Sequence, residues 1–123
     1  MKKRILVVDD EVALTRIIKL NLERTGSYEV RTENMGRMAI PAAKEFKPDL
    51  IFLDVMMPDM SGDDVAALLK EDPVFSNIPF IFMTAIVTKE ETQSKETDIG
   101  GNLFLAKPVK TEELIATIER VLS

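Results

Sequence analysis

Residues 50–54, Leu50-Ile51-Phe52-Leu53-Asp54, set four large apolar side chains in a row and end them on a carboxylate. An uninterrupted run of this length suits a strand covered on both faces, as in a parallel sheet. Three further runs have the same form: Ile5-Leu6-Val7-Val8, Phe80-Ile81-Phe82-Met83 and Leu103-Phe104-Leu105. Tyr28-Glu29-Val30-Arg31 alternates instead, as an edge strand does. Between the runs the apolar spacing changes to +3/+4. Leu14, Ile17, Ile18 and Leu22 follow it, then Val65, Leu68 and Leu69, then Leu114, Ile115, Ile118, Val121 and Leu122. The order is (βα) five times over, an α/β chain. Strands alternating with helices predict a five-stranded parallel sheet with right-handed crossovers, doubly wound with helices on both faces.

The punctuation agrees. Ser61 and Thr111 are good N-caps, Asp63, Asp64, Glu112 and Glu113 fall in first turns, and Pro48 and Pro73 follow expected helix ends. Two stretches fit less well. Pro41 sits about a turn inside the second helix, where its missing N–H kinks or delays the helix. Residues 88–98, TKEETQSKETD, open with the capping-box pattern Thr88-x-x-Glu91 but contain no large apolar side chain, so a helix there has little to hold it down.

A length of 123 residues gives room for one core, so residues 1–123 are expected to form one domain. With 46% hydrophobic and 30% charged residues the chain has the balance of a folded soluble protein. No apolar run is long enough to cross a bilayer. Met1-Lys2-Lys3-Arg4 leads into only four apolar residues before Asp9-Asp10, which is no secretory signal, so the expected address is cytoplasmic. The chain has no cysteine and no histidine, so a metal here would be hard and oxygen-bound. A net charge of −5 argues against a broad nucleic-acid-binding face.

In an open parallel sheet, ligands bind beyond the C-terminal strand ends, near the point where strand order reverses. Those ends carry Asp9, Asp10 and Glu11 after the first strand, Asp54 at the third, Thr84 at the fourth, and Lys107-Pro108 after the fifth. In a sheet of order 2-1-3-4-5, Asp54 lies between the acidic pair and Thr84. Three carboxylates brought together repel by about 1 to 4 kcal/mol per pair and need protons or a cation. Few oxygen ligands, with room for water and phosphate, suit Mg²⁺. The set fits phosphoryl transfer, with Asp54 as nucleophile and Lys107 and Thr84 contacting phosphoryl oxygens. Taken singly, Asp10 serves equally well as a helix N-cap, Asp54 as a solvated strand end, Thr84 as a β-branched strand residue and Lys107 as a surface lysine. The four together make one functional set.

The chain resembles the receiver domain of bacterial response regulators, the CheY-like family with a flavodoxin-like sheet, over nearly its whole length. The resemblance rests on ILVVDDE, PDLIFLDVMMPDMSG, PFIFMTA and LFLAKPV, in that order, and on YEVRTENMGRMAI with its Gly36. It implies that Asp54 is phosphorylated, that Asp10 and Asp54 ligate Mg²⁺ with Asp9 nearby through water, and that Met56 offers its backbone carbonyl to the metal. It also implies that Thr84 and the Ala85 amide hold phosphoryl oxygens, that Lys107 pairs with the phosphate ahead of a cis peptide at Pro108, and that Phe104 is the switch aromatic. Plain core packing is the other reading of Phe104.

The implied function is signal relay, in which a sensor histidine kinase or a histidine phosphotransfer protein donates the phosphoryl group. An unnamed downstream target protein then reads the changed fourth-helix/fifth-strand face. The domain assists its own phosphorylation and slow dephosphorylation without being a metabolic enzyme. Direct contact with nucleic acid or membrane is not expected, and the chain is expected to be a monomer or weak dimer. Met56 and Ile86, two residues beyond Asp54 and Thr84, are apolar and flank the expected site of water attack; slow hydrolysis and loose methionine packing are both open readings. The stretch 88–98 is expected to be short, displaced or mobile as the fourth helix. A flavin mononucleotide carrier would need a Ser/Thr/Gly loop where Asp9-Asp10-Glu11 stands, and an aspartyl-phosphate phosphatase would need an acid at Met56.

Overall fold

A computed structural model of the chain describes residues 2–85, 96–99 and 102–123, with the backbone path alone for 96–99 and 102. Five parallel strands form the body of the sheet: β1 (Lys3–Val8), β2 (Tyr28–Glu33), β3 (Leu50–Asp54), β4 (Phe80–Thr84) and, anticipating its place in the chain, β6 (Asn102–Ala106). Their spatial order is β2-β1-β3-β4-β6, the 2-1-3-4-5 order expected, with β6 as the fifth parallel strand. A sixth strand, β5 (Glu96–Ile99), runs antiparallel along the outer edge of β6.

That edge strand corrects the expectation of helix through residue 98. A stretch without an apolar face gains nothing by lying on the sheet as a helix. The main chain of Glu96–Ile99 instead pairs with the N–H and C=O groups that β6 would otherwise leave open at the edge. Thr88, Glu91 and the rest of 88–95, together with Ile86, lie outside the described residues.

Two apolar layers sandwich the sheet. On one face Ile5, Val7, Phe52, Ile81 and Leu105 meet Ile18 and Leu22 of α1 (Val12–Arg24) and Leu114 and Ile118 of α4 (Thr111–Leu122). On the other, Leu6, Val8, Ile51, Leu53 and Phe82 meet Ala42 and Ala43 of α2 (Ala39–Phe46) and Val65 and Leu69 of α3 (Gly62–Glu71). Every residue of β3 is buried, which is why its sequence is apolar without alternation. Truncating Phe52 to alanine in such a place costs about 3 to 5 kcal/mol.

Ile17 and Leu68 belong to the +3/+4 series but stand 53% and 42% exposed. Each is rotated about 100° from an inward neighbour, Ile18 or Leu69, so only one member of each pair reaches the sheet. Pro41 sits in the first turn of α2, where its absent N–H has no intrahelical partner, and a 3₁₀ turn at Gly36–Met38 precedes it. The helix is delayed rather than kinked. The Ser61 hydroxyl accepts from the Asp64 amide at 3.2 Å as an N-cap. Thr111 is the first residue of α4, not its cap; Lys110 holds that position and makes no side-chain cap bond. No helix among the described residues is long and apolar enough to cross a membrane.

Candidate functional site

The site follows from parallel order. With β1, β3, β4 and β6 parallel and side by side, their C-terminal ends gather at one end of the sheet. Main-chain bonds tie those ends together: Val55 N–H donates to Met83 O at 3.1 Å and Lys107 N–H to Thr84 O at 2.9 Å. Asp10, Glu11, Asp54, Met56, Thr84, Ala85 and Lys107 line one cavity of about 340 Å³. Asp9 lies beneath them, fully buried. One carboxylate oxygen each from Asp9, Asp10 and Asp54 lies within 4.8 Å of the others.

The loop after β3 can leave Asp54 in place because Gly62 passes directly against it. A Cβ at Gly62 would collide with the Asp54 carbonyl oxygen, while the Gly62 amide donates to Val55 O at 2.9 Å. The Asp59 carboxylate fastens the same loop to the 3₁₀ turn, accepting from the Gly36 and Arg37 amides at 2.9 and 3.0 Å. Those two bonds hold the Asp59 carboxyl below its ordinary value, the Arg37 amide contributing most.

The Lys107 ammonium occupies the middle of the acidic group. It lies 2.8 Å from Asp9 Oδ2, 3.0 Å from Glu11 Oε1 and 3.3 Å from Asp54 Oδ1. Burial alone would lower the ammonium's pKa, but Asp9, Glu11 and Asp54 more than reverse this and raise it. Burial pushes the Asp9 carboxyl up, against the pull of Lys107 and of the Glu11 amide, which donates to Asp9 Oδ1 at 2.9 Å. Asp54 is pushed up to about 6, first by burial, then by the Asp9 charge and by a hydrogen bond with Asp10, with Lys107 only partly offsetting these. A buried carboxylate held this far above its usual range has less counter-charge than it needs even with Lys107 beside it, and the ligand atoms that Asp9, Asp10 and Asp54 offer are hard oxygens. Both observations fit a divalent cation of the Mg²⁺ class.

The family model of the response regulator receiver domain matches residues 5–119. The chain belongs to that family. This receiver domain is 36% identical to the alkaline phosphatase synthesis transcriptional regulatory protein PhoP of Bacillus subtilis, over 99% of its own length and 49% of the relative's. It is also 36% identical to the phosphate regulon transcriptional regulatory protein PhoB of Pseudomonas aeruginosa, over 98% and 52%. The chain thus spans about half the length of the curated relatives it matches. Among solved structures, chemotaxis protein CheY4 of Vibrio cholerae superposes with a TM-score of 0.82 at 29% identity, covering 98% of this chain and 99% of that one. A response regulator from Desulfuromonas acetoxidans gives 0.79 at 34% identity, covering 98% and 96%.

Other expected site residues also have definite places in the receiver domain. Met56 is 65% exposed at the cavity rim, and Thr84 is buried in its wall. The Lys107–Pro108 peptide is cis. Phe104 is not in the cavity. It is partly buried on the α2/α3 face, its ring 5.1 Å from that of Phe82. Glu11 enters as a partner of Lys107, and Asn34 and Asp59 tie the loops; none of these three contacts was foreseen. Glu11 follows the acidic doublet directly, which was signal enough to suspect it. Asn34 and Asp59 sit in no pattern that distinguishes them from turn residues.

Proposed function

We propose that this receiver domain accepts a phosphoryl group on Asp54 from a phosphohistidine of a sensor kinase or histidine phosphotransfer protein, and passes the signal through a changed surface. The observation that carries this is the convergence of Asp9, Asp10 and Asp54 within 4.8 Å around a raised Asp54 carboxyl, with Lys107 alongside. An Asp54 carboxylate oxygen forms the new P–O bond as the P–N bond to the donor imidazole breaks, and the imidazole takes a proton from solvent. Asp10 and Asp54 would hold Mg²⁺ with the Met56 carbonyl, and Asp9 adds charge from beneath. When bound, the ion neutralises the carboxylates and the transferring phosphoryl oxygens.

Lys107, Thr84 and Ala85 line the same cavity, which supports the ammonium, the hydroxyl and the Ala85 amide as the donors for the phosphoryl oxygens. Recruitment of Thr84 toward the phosphoryl group alters the packing between β4 and β6, where Phe104 stands opposite Phe82 in register. The downstream recipient is then a protein reading the β5/β6 edge. The relatives PhoP and PhoB are named as transcriptional regulatory proteins. For the residues of this receiver domain the output is assigned to protein contact, because a net charge of −5 does not suit a face for nucleic-acid phosphates.

Incubation with Mg²⁺ and acetyl phosphate tests the reading by intact mass. The expected result is one added phosphoryl group, located at Asp54, absent without Mg²⁺ and in Asp54→Ala. An adduct that survives Asp54→Ala, or none at all, defeats it.

A further inference from the structure

Asn34 lies one step past the end of β2 and outside the cavity, yet its side chain grips the loop that carries Asp9 and Asp10. The parallel register between β1 and β2 ends at Val8 opposite Glu33. One further ladder bond follows, from Asp9 N–H to Glu33 O at 3.0 Å. The same register would next bring the Met35 amide to the Asp9 carbonyl, but the chain turns away into the 3₁₀ helix at Gly36. Asn34 Nδ2 takes that place, donating to Asp9 O at 2.8 Å. Because a main-chain carbonyl only accepts, the nitrogen end of the amide must face it.

The second proton of the same nitrogen goes to Thr15 Oγ1 at 3.0 Å, and the Thr15 hydroxyl donates to Val12 O at 3.1 Å. Asn34 therefore holds the loop on both sides of Asp10: at Asp9 directly, and at Val12 through Thr15. Residues 9–11 belong to neither strand nor helix. The exposed side chain of Asp10 takes its direction from this stretch of backbone. We infer that Asn34 is a positioning residue for the divalent cation: it touches neither ion nor phosphoryl group, but fixes the backbone that aims Asp9 and Asp10. The inference rests on the cation reading under Proposed function.

Asn34 is neutral, so its removal changes no charge near the cavity. A loss of cation affinity on Asn34→Ala can then come only from geometry. Groups that orient metal ligands through hydrogen bonds are typically worth about 10-fold or more in affinity. Thr15 provides an independent handle, since Thr15→Val keeps the volume and breaks the outer half of the clamp, while Thr15→Ser keeps the hydroxyl.

The experiment is calorimetric titration of MgCl₂ into the unphosphorylated chain, at a temperature where circular dichroism shows each variant folded. Asn34→Ala is expected to weaken Mg²⁺ binding about 10-fold and Thr15→Val about 3-fold, with Thr15→Ser close to wild type. If Asn34→Ala does not fold, the Thr15 pair decides. Asn34→Ala or Thr15→Val binding Mg²⁺ as tightly as wild type, whatever the change in melting temperature, overturns the inference and leaves the proposed function standing. Wild-type protein that binds no Mg²⁺ overturns both.

Discussion

Replacing Asp54 by asparagine should stabilise the cation-free protein, and only above the pH at which the carboxyl ionises. In the fold that carboxyl titrates at about 6, against an ordinary value of 3.8. The folded state therefore holds a proton more tightly than the unfolded chain, and stability falls as pH rises from about 4 through 6, then levels off. At about 1.4 kcal/mol per pH unit, the loss is about 3 kcal/mol by pH 7.5. This already includes the attraction of Lys107, which is one of the causes opposing the rise. An asparagine has no charge to bury beside Asp9 and escapes the loss. For a domain of this size, about 4 °C per kcal/mol gives a melting temperature about 10 °C above wild type at pH 7.5 in chelator. At pH 4 the two proteins should melt together, since Asp54 is then neutral in the fold. Saturating Mg²⁺ at pH 7.5 should close the gap by stabilising wild type through binding. Calorimetric melts from pH 4 to 8, with chelator and with Mg²⁺, read all three effects. An Asp54→Asn variant no more stable than wild type at pH 7.5, or one equally favoured at pH 4, would refute the reasoning.

Lys107→Ala removes the ammonium from Asp9, Glu11 and Asp54 together, and in chelator at pH 7.5 should lower urea-unfolding stability by about 3 kcal/mol, less at pH 5, where Asp54 takes up a proton. Gly62→Ala drives a Cβ into the Asp54 carbonyl; because backbone cannot swing aside, the expected loss is about 3 kcal/mol at either pH, seen as a lower melting temperature. Ser61→Ala deletes the cap on the Asp64 amide and should cost about 1 kcal/mol in the same melt. Met56→Asn places a polar group at the exposed rim of the cavity that Asp54 also lines. It should shorten the life of the phosphorylated form several-fold, followed by decay of the adduct mass, with stability unchanged.

The parallel core was legible because a strand buried on both faces leaves no choice of side chain: Leu50 to Leu53 and Ile5 to Val8 are apolar in every position. Helical period was legible for the same reason on one face only, and it failed at Ile17 and Leu68, where two adjacent apolar residues compete for one inward direction. The edge strand at Glu96–Ile99 left no mark in the sequence, since what it exchanges with β6 is main-chain hydrogen bonding, to which side-chain patterns are blind. In the site, the strand-end residues could be read from topology, because parallel order fixes which ends are neighbours. The ties between loops could not: Asn34 meets Asp9 across 25 residues and Asp59 meets Gly36 across 23, by side chains that look like ordinary turn formers.

Lys107 shows why geometry adds to a motif. The sequence presents it as a partner for phosphate, yet in the fold its ammonium is already engaged by Asp9, Glu11 and Asp54. With Asp9, Asp10, Glu11 and Asp54 ionised, four carboxylates and one ammonium leave a formal charge of −3 around the cavity. An incoming phosphoryl dianion meets repulsion there, whereas with a divalent cation in the cavity the set stands at −1. Under the proposed function, conversion of Asp54 to an acyl phosphate then consumes the carboxylate that lay 3.3 Å from Lys107 and puts phosphoryl oxygens in its place. Under the proposed function the reaction therefore exchanges one anionic partner of Lys107 for another at the same position, without first freeing the lysine into solvent. The desolvation of that ammonium is already met in the unphosphorylated fold, so its strength as a phosphoryl ligand depends on how firmly Asp9 and Glu11 hold it in place.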